Sequence, residues 1–193
     1  MGYADVGAYK ADRYRTPNID KLAKQGVRFT AAYAAAPVCA PSRAGLLTGR
    51  YPQRFGFEFN QGPANREFRR GYGLDAKELT IGNVLQTAGY KTGLVGKWHM
   101  GNDGMPRPGY DYWVSYDGHG KLMDPTLNHD GLHVQHKGYI TDIMNRLAVE
   151  YLERKRDKPF SLFFAHKAVH PDAEQAADGT LRISAPVSYT HLT

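Results

Sequence analysis

Apolar residues recur along most of this chain at helical spacing in some segments and as short continuous runs in others, and the two patterns alternate. Thr16 followed by Pro17 has the form of an N-cap and a first-turn proline. Ile19, Leu22 and Ala23 then make an apolar stripe, and Gly26 ends the predicted helix. Val27, Arg28, Phe29 and Thr30 read as a short strand. Thr80 caps a second helix, with Ile81, Val84, Leu85 and Ala88 on one face and Gly89 placed to close it in the left-handed conformation. A strand over 90–95 follows. Ile140, Ile143, Met144, Leu147 and Tyr151 mark a third, longer helix, and its tail Glu153-Arg154-Lys155-Arg156 sets cations where the helix dipole favours them. After Pro159, residues 160–165 form a candidate buried strand. By contrast, 51–74 and 101–137 are rich in Gly, Pro, Asn, Asp and aromatics without a clear period, and read as long excursions of the kind that build substrate pockets.

Helices alternating with strands predict an α/β layer architecture. At 193 residues the chain is long enough for one domain with a sizeable core. No apolar run approaches the length of a membrane span, so no membrane partner is expected. The net charge of +6 comes from dispersed cations, and a run such as Arg66-Glu67-Phe68-Arg69-Arg70 is broken by other residue types. No nucleic-acid partner is therefore expected, and anion recognition should rest on a few placed cations. With Cys39 as the sole cysteine, an internal disulfide framework and a four-cysteine zinc site are excluded.

Cys39 lies in Cys39-Ala40-Pro41-Ser42-Arg43, continued by Leu47-Thr48-Gly49-Arg50. Pro41 suits a first helical turn and Arg43 stands close by, surroundings that favour a reactive thiol; a buried structural cysteine is the alternative. A second stretch runs from Gly89-Tyr90-Lys91-Thr92 through Gly96-Lys97-Trp98-His99. Its predicted strand delivers Lys97 and His99, on the same side, into the crevice where open α/β sheets bind ligands. A third, His166-Lys167-Ala168-Val169-His170-Pro171, follows the strand over 160–165.

These stretches resemble the sulfatase family: C-x-P-S-R with its T-G-R tail, G-Y-x-[ST]-x-x-x-G-K-W-H, and a strand-to-loop turn carrying a substrate-contacting histidine. The resemblance runs from Met1 to about Pro171. It implies an alkaline-phosphatase-like sandwich, with a central mostly parallel sheet flanked by helices. The sandwich is expected to be incomplete, lacking its first strand and its carboxyl-terminal part. Residues 1–171 would be a partial catalytic domain and 172–193 an irregular tail, in which Val187-Ser188-Tyr189-Thr190-His191-Leu192 resembles a translated transposon end used in library preparation. Met1 to Gly7 is similar to the segment that follows the family's first core strand and its metal-binding aspartate pair.

The resemblance also implies a chemistry. Cys39 would be oxidised to Cα-formylglycine by a formylglycine-generating enzyme and hydrated to a gem-diol. One hydroxyl would attack sulfur, and the other, once deprotonated, would expel sulfate and restore the aldehyde. Arg43 would hold the ionised diol, Lys97 would bind sulfate oxygens, and His99 would take the diol proton. His170 would contact sulfate and assist the leaving oxygen, with His166 a second choice. The implied metal is Ca2+, held in part by the formylglycine of Cys39 and otherwise by carboxylates outside this chain, so that the polypeptide alone should lack useful activity. The substrate would be a sulfated small molecule or glycan, and the location periplasmic or secreted. A formylglycine-dependent phosphonate or phosphodiester hydrolase, and a noncatalytic sulfated-glycan binding domain, are the alternatives. Trp113, Ser115, Asp117, His119, His129, His133 and His136 lie in the second excursion without metal-ligand spacing, and are expected to line a pocket or face solvent.

Overall fold

A computed structural model describes residues 5–11, 14–60, 73–101, 103–168 and 170. The run Arg66–Arg70, most of the segment Met1 to Gly7, and the predicted tail 172–193 lie outside these residues. The chain divides into two compact units, Met1–Tyr33 and Ala34–Thr193.

In the first unit a 3-10 turn, Gly7–Tyr9, packs on helix α1, Pro17–Gln25. Thr16 precedes the helix and Pro17 opens it, as predicted, but the Thr16 hydroxyl serves the neighbouring turn. It accepts from the Gly7 N–H at 2.9 Å and donates to Asp20 Oδ1 at 2.9 Å, which also accepts from Ala8 N–H at 2.7 Å. Two sequence expectations fail in this unit. The α1 stripe is not buried, Ile19 and Leu22 being exposed. Residues 27–30 are irregular, because the backbone there finds no neighbouring strand among the described residues and Tyr9 instead bonds the Phe29 carbonyl at 2.8 Å.

The second unit is built on a five-stranded sheet of order β4-β3-β2-β1-β5, with β1 Lys91–Gly96, β2 Tyr112–Ser115, β3 Thr126–His129, β4 Leu132–Gln135 and β5 Phe160–Ala165. Strand β1 pairs in parallel with β2 and β5, while β2-β3 and β3-β4 are antiparallel, so the sheet is mixed. Alternation along the strands sends side chains to two cores. Val95 and Val114 pack with Ile140, Ile143, Met144 and Leu147 of helix α4, Ile140–Glu153. Leu94 and Trp113 pack with Ala40, Ala44 and Leu47 of helix α2, Cys39–Thr48, and with Trp98 and Met100.

Helix α3, Ile81–Thr87, starts with a reciprocal cap between Thr80 and Asn83, and Gly89 follows it at φ +88°. Its apolar stripe, however, does not face a core: Ile81 and Val84 are exposed and Gly82 is the buried position. A Cβ on Gly82 would stand 2.7 Å from the Gly109 carbonyl oxygen and 2.9 Å from the Tyr110 ring, so the helix docks through its glycine. Strand β5 is where the sequence puts it, but it lies at the sheet edge and is half-exposed, with Phe160 and Phe164 facing outward.

The excursion 101–137 is also more regular than its composition suggests, since it holds β2, β3 and β4. Each of these is four residues long, too short for a period to stand out. The β3-β4 hairpin turns on Asp130-Gly131, at φ +50° and +100°, the Asp-Gly chemistry that two-residue hairpins favour. The charged tail of α4 matches expectation, with Arg156 donating to the carbonyls of Leu152, at 3.3 Å, and Tyr151.

Candidate active site

Helix α2 begins at Cys39, and no side chain of its own flank caps it. The cap comes from Asn60, which lies 21 residues beyond Cys39. Its Oδ1 accepts from the Ala40 N–H at 2.8 Å and its Nδ2 stands 3.4 Å from Cys39 Sγ, so one amide both satisfies a free helix donor and touches the thiol. One turn further on, Arg43 Nη1 donates to the main-chain carbonyl of Lys97 at 2.6 Å. Helix α2 closes at Gly49, φ +65°, and Arg50 beyond it pairs with Glu78. The first motif is thereby fastened at its beginning, middle and end.

The exit of β1 is equally constrained. Gly96 sits at φ +117°, and a Cβ there would fall 2.0 Å from the Ala165 carbonyl oxygen, the acceptor of the Lys97 N–H at 2.7 Å. Glycine is therefore required where β1 and β5 end side by side. Trp98 turns into the core against the rings of Trp113 and Tyr110, at 5.3 and 6.2 Å between centroids. His99 occupies the left-handed region at φ +56°, a conformation that costs a non-glycine residue free energy and recurs at functional sites.

Around these ends the side chains form one cationic cluster. Lys97 Nζ lies 3.3 Å from Nδ1 of His119, whose ring packs against His99 at 4.5 Å and His170 at 5.1 Å. Lys167, 2% exposed, donates from Nζ to the His119 carbonyl at 3.0 Å. Burial, reinforced by Arg43 and Lys167 and opposed by Cys39, draws the Lys97 ammonium down to about 8. Burial, then Lys97, His119, Arg43 and His170 in turn, draws His99 down to about 3; His119 falls to about 4, chiefly by burial. Burial also lowers Arg43, against the pull of Tyr116 and Cys39. At neutral pH the cluster thus combines charged Arg43 and Lys97 with neutral His99 and His119. Neither Arg43 nor Lys97 pairs with a carboxylate among the described residues. His99 Nδ1 is buried with no hydrogen-bond partner among them.

Of the residues singled out from sequence, Cys39, Arg43, Lys97, His99 and His170 fall in or beside this cluster. His166 does not join it and packs on Phe164 at 4.2 Å. His119, expected as pocket lining or a solvent-exposed residue, stands at the centre. Trp113 is core, Ser115 is buried, Asp117 and His133 are exposed, and His129 faces His136 at 2.8 Å between Nε2 atoms. Asn60 and Lys167 carry no expectation from sequence. Lys167 sits inside the third motif, which is a usable signal; for Asn60 there is none. Among the described residues no group of three or more His, Cys, Asp or Glu is disposed to hold a metal ion, and the neighbours of Cys39 are largely cationic. They do not by themselves fit Ca2+.

A helix start bearing Cys39 is thus set against a cationic strand end on an α/β sheet, an arrangement of charge suited to an anionic ligand. The family model described as Sulfatase matches residues 1–186, and the chain belongs to the sulfatase family. It is 36% identical over 169 residues to the N-acetylglucosamine-6-O-sulfatase of Bacteroides thetaiotaomicron, a match covering 86% of this chain and 28% of that protein. Human Arylsulfatase G is 45% identical over 116 residues, covering 58% of this chain and 21% of the relative. The chain therefore spans under a third of either relative. Among solved structures, BT4656 in complex with its substrate D-glucosamine-2-N,6-O-disulfate superposes with a TM-score of 0.77 at 32% identity, over 90% of this chain and 33% of that one. Ps i-CgsB in complex with k-i-k-neocarrahexaose gives 0.80 at 32% identity, over 92% and 45%. The fold is that of the alkaline-phosphatase-like sulfatases. No helix among the described residues is long and apolar enough to cross a membrane.

Proposed function

We propose that the protein carrying this chain hydrolyses a sulfate ester of a sulfated sugar, with the nucleophile derived from Cys39. The observation that carries the reading is the convergence of Cys39, Arg43, Lys97, His99 and His170 at the joined ends of α2, β1 and β5. Conversion of Cys39 to Cα-formylglycine supplies a hydrated aldehyde whose hydroxyl is a competent nucleophile and whose second hydroxyl permits release. Family membership supports that conversion, made by a formylglycine-generating enzyme, together with a secreted or periplasmic location.

The remaining roles follow from charge and position. Arg43, tethered to the Lys97 carbonyl through one donor, keeps others for the nucleophile oxygen. Lys97 stays protonated at neutral pH and offers its ammonium to sulfate oxygens. His99, neutral and with an unpartnered Nδ1, accepts the proton of the second hydroxyl. The adjoining sulfate anion raises its low basicity towards the working range. His170 assists the leaving oxygen. The family implies Ca2+, and the proposal places its carboxylate ligands in parts of the full-length protein outside this chain; on that reading residues 1–193 expressed alone should show no turnover. The substrate complex of BT4656 and the N-acetylglucosamine-6-O-sulfatase support a sulfated sugar, while the similarity to Arylsulfatase G keeps an aryl sulfate among the substrates to be assayed.

Parallel assays of the full-length protein on an aryl sulfate, glucosamine 6-sulfate and an aryl phosphodiester test the reading. Turnover of both sulfates, with the sugar preferred, is expected. Cleavage of the phosphodiester without either sulfate assigns the site to phosphoryl chemistry instead, and binding of a sulfated sugar without cleavage of any of the three assigns it to a noncatalytic role.

A further inference from the structure

We propose that His119 is a positioning residue for Lys97, and that Lys167 is the tie that holds His119 in place; the inference rests on the sulfate-ester reading above. Beyond the end of β2 the chain folds back on itself, with Gly118 at φ +55° and Gly120 at φ +67°. A Cβ on Gly120 would meet the Tyr116 ring at 2.5 Å, so the reversal is tight. It brings His119 against the end of β1. The imidazole has three neighbours: Lys97 Nζ at its Nδ1, and the rings of His99 and His170 at 4.5 and 5.1 Å between centroids.

The backbone of the same residue is held independently. Lys167, arriving from the turn after β5, buries its ammonium and donates to the His119 carbonyl at 3.0 Å. A lysine normally keeps large rotamer freedom and three rotatable donors. Here one donor goes to His119 Nδ1, which fixes the ammonium and leaves two for sulfate oxygens. For that bond the imidazole accepts at Nδ1, so its own proton sits on Nε2. His119 acts through Lys97, and binding of the anionic group should depend on an acceptor at that position. Because Lys97 holds the sulfate before as well as during reaction, the loss should fall on KM and not on kcat.

The test compares wild-type, His119→Leu, His119→Asn and Lys167→Met forms of the full-length protein. Inorganic sulfate affinity is measured by calorimetry, aryl sulfate kinetics are run beside it, and circular dichroism checks the fold. His119→Leu should weaken sulfate binding and raise KM about tenfold, with kcat within about threefold. That is the size of effect expected from a lost hydrogen bond to a charged group. His119→Asn, whose Oδ1 stands where Nδ1 does, should return both to within about threefold of wild type, and Lys167→Met should fall between. A folded His119→Leu with wild-type sulfate affinity and KM overturns the inference while leaving the sulfatase reading intact, and so does an asparagine variant no better than leucine. Wild-type protein that neither binds sulfate nor turns over the ester overturns both.

Discussion

Arg43 on α2 donates a 2.6 Å hydrogen bond to the carbonyl of Lys97 at the end of β1, across 54 residues of sequence. This single bond joins the helix that presents Cys39 to the strand that presents Lys97 and His99. A guanidinium suits the task because it remains protonated even when burial lowers its affinity for the proton, and because its rigid fork reaches several acceptors.

Replacing Arg43 by lysine keeps the charge but loses the fork. Arg43→Lys is expected to cost about 1.5–3 kcal/mol of stability, since a buried carbonyl loses a charged donor, and, on the proposed role of Arg43 at the nucleophile, to lower kcat/KM by at least about tenfold. Urea unfolding and steady-state kinetics on the same preparation check this.

Gly96 offers a sharper test of how Lys97 is delivered. Gly96→Ala combines a disallowed φ with a Cβ that would overlap the Ala165 carbonyl. Gly49→Ala meets only the left-handed φ of +65°, with no atom within 4 Å. The first should cost more than about 3 kcal/mol and the second about 1–2 kcal/mol. Equal costs in urea melts would mean that β1 and β5 do not end as closely as described.

If Lys97 holds the sulfate group as proposed, it should set an alkaline limit on that binding. Its proton is lost through about pH 8, so affinity for inorganic sulfate should fall as pH rises through that value. Bound anion should move the limit upward. In Lys97→Arg the limb disappears, because the guanidinium stays charged; calorimetry across the range measures it.

His99 acts on stability in the acid range. The unfolded chain takes up a proton there near pH 6.5, whereas the folded protein holds the ring neutral down to about 3. Between those values the unfolded state binds more protons, so stability should be complete above about 6.5 and decline as pH falls. His119, drawn down to about 4, contributes with the same sign. His99→Gln should remove up to about one proton from the slope of unfolding free energy against pH, read from urea melts at successive pH values.

The residues that chemistry places in contiguous motifs were legible in the sequence, because a helix start and a strand end are local events: Cys39 with Arg43, and Lys97 with His99. Helix α4 was legible too, since its apolar face covers the sheet and keeps its period from Ile140 to Tyr151. The α3 stripe misled, because Gly82 against Tyr110 turned a different face inward. His119 and Lys167 depend on which strands lie beside β1, and Asn60 on a loop that returns to the start of α2; no local pattern encodes either. His119 reaches the site because β2 is one neighbour of β1, and Lys167 because β5 is the other. The hairpin at Asp130-Gly131 was within reach of turn chemistry, but four-residue strands gave it no flanking period.

The most direct measurement is the mass of the peptide containing residue 39, taken from full-length protein co-produced with a formylglycine-generating enzyme and assayed on the same day for sulfate-ester turnover. The aldehyde at position 39, rising and falling with activity and absent together with it in Cys39→Ala, is the predicted result. An unmodified thiol in fully active protein, or undiminished turnover by Cys39→Ala, would contradict it.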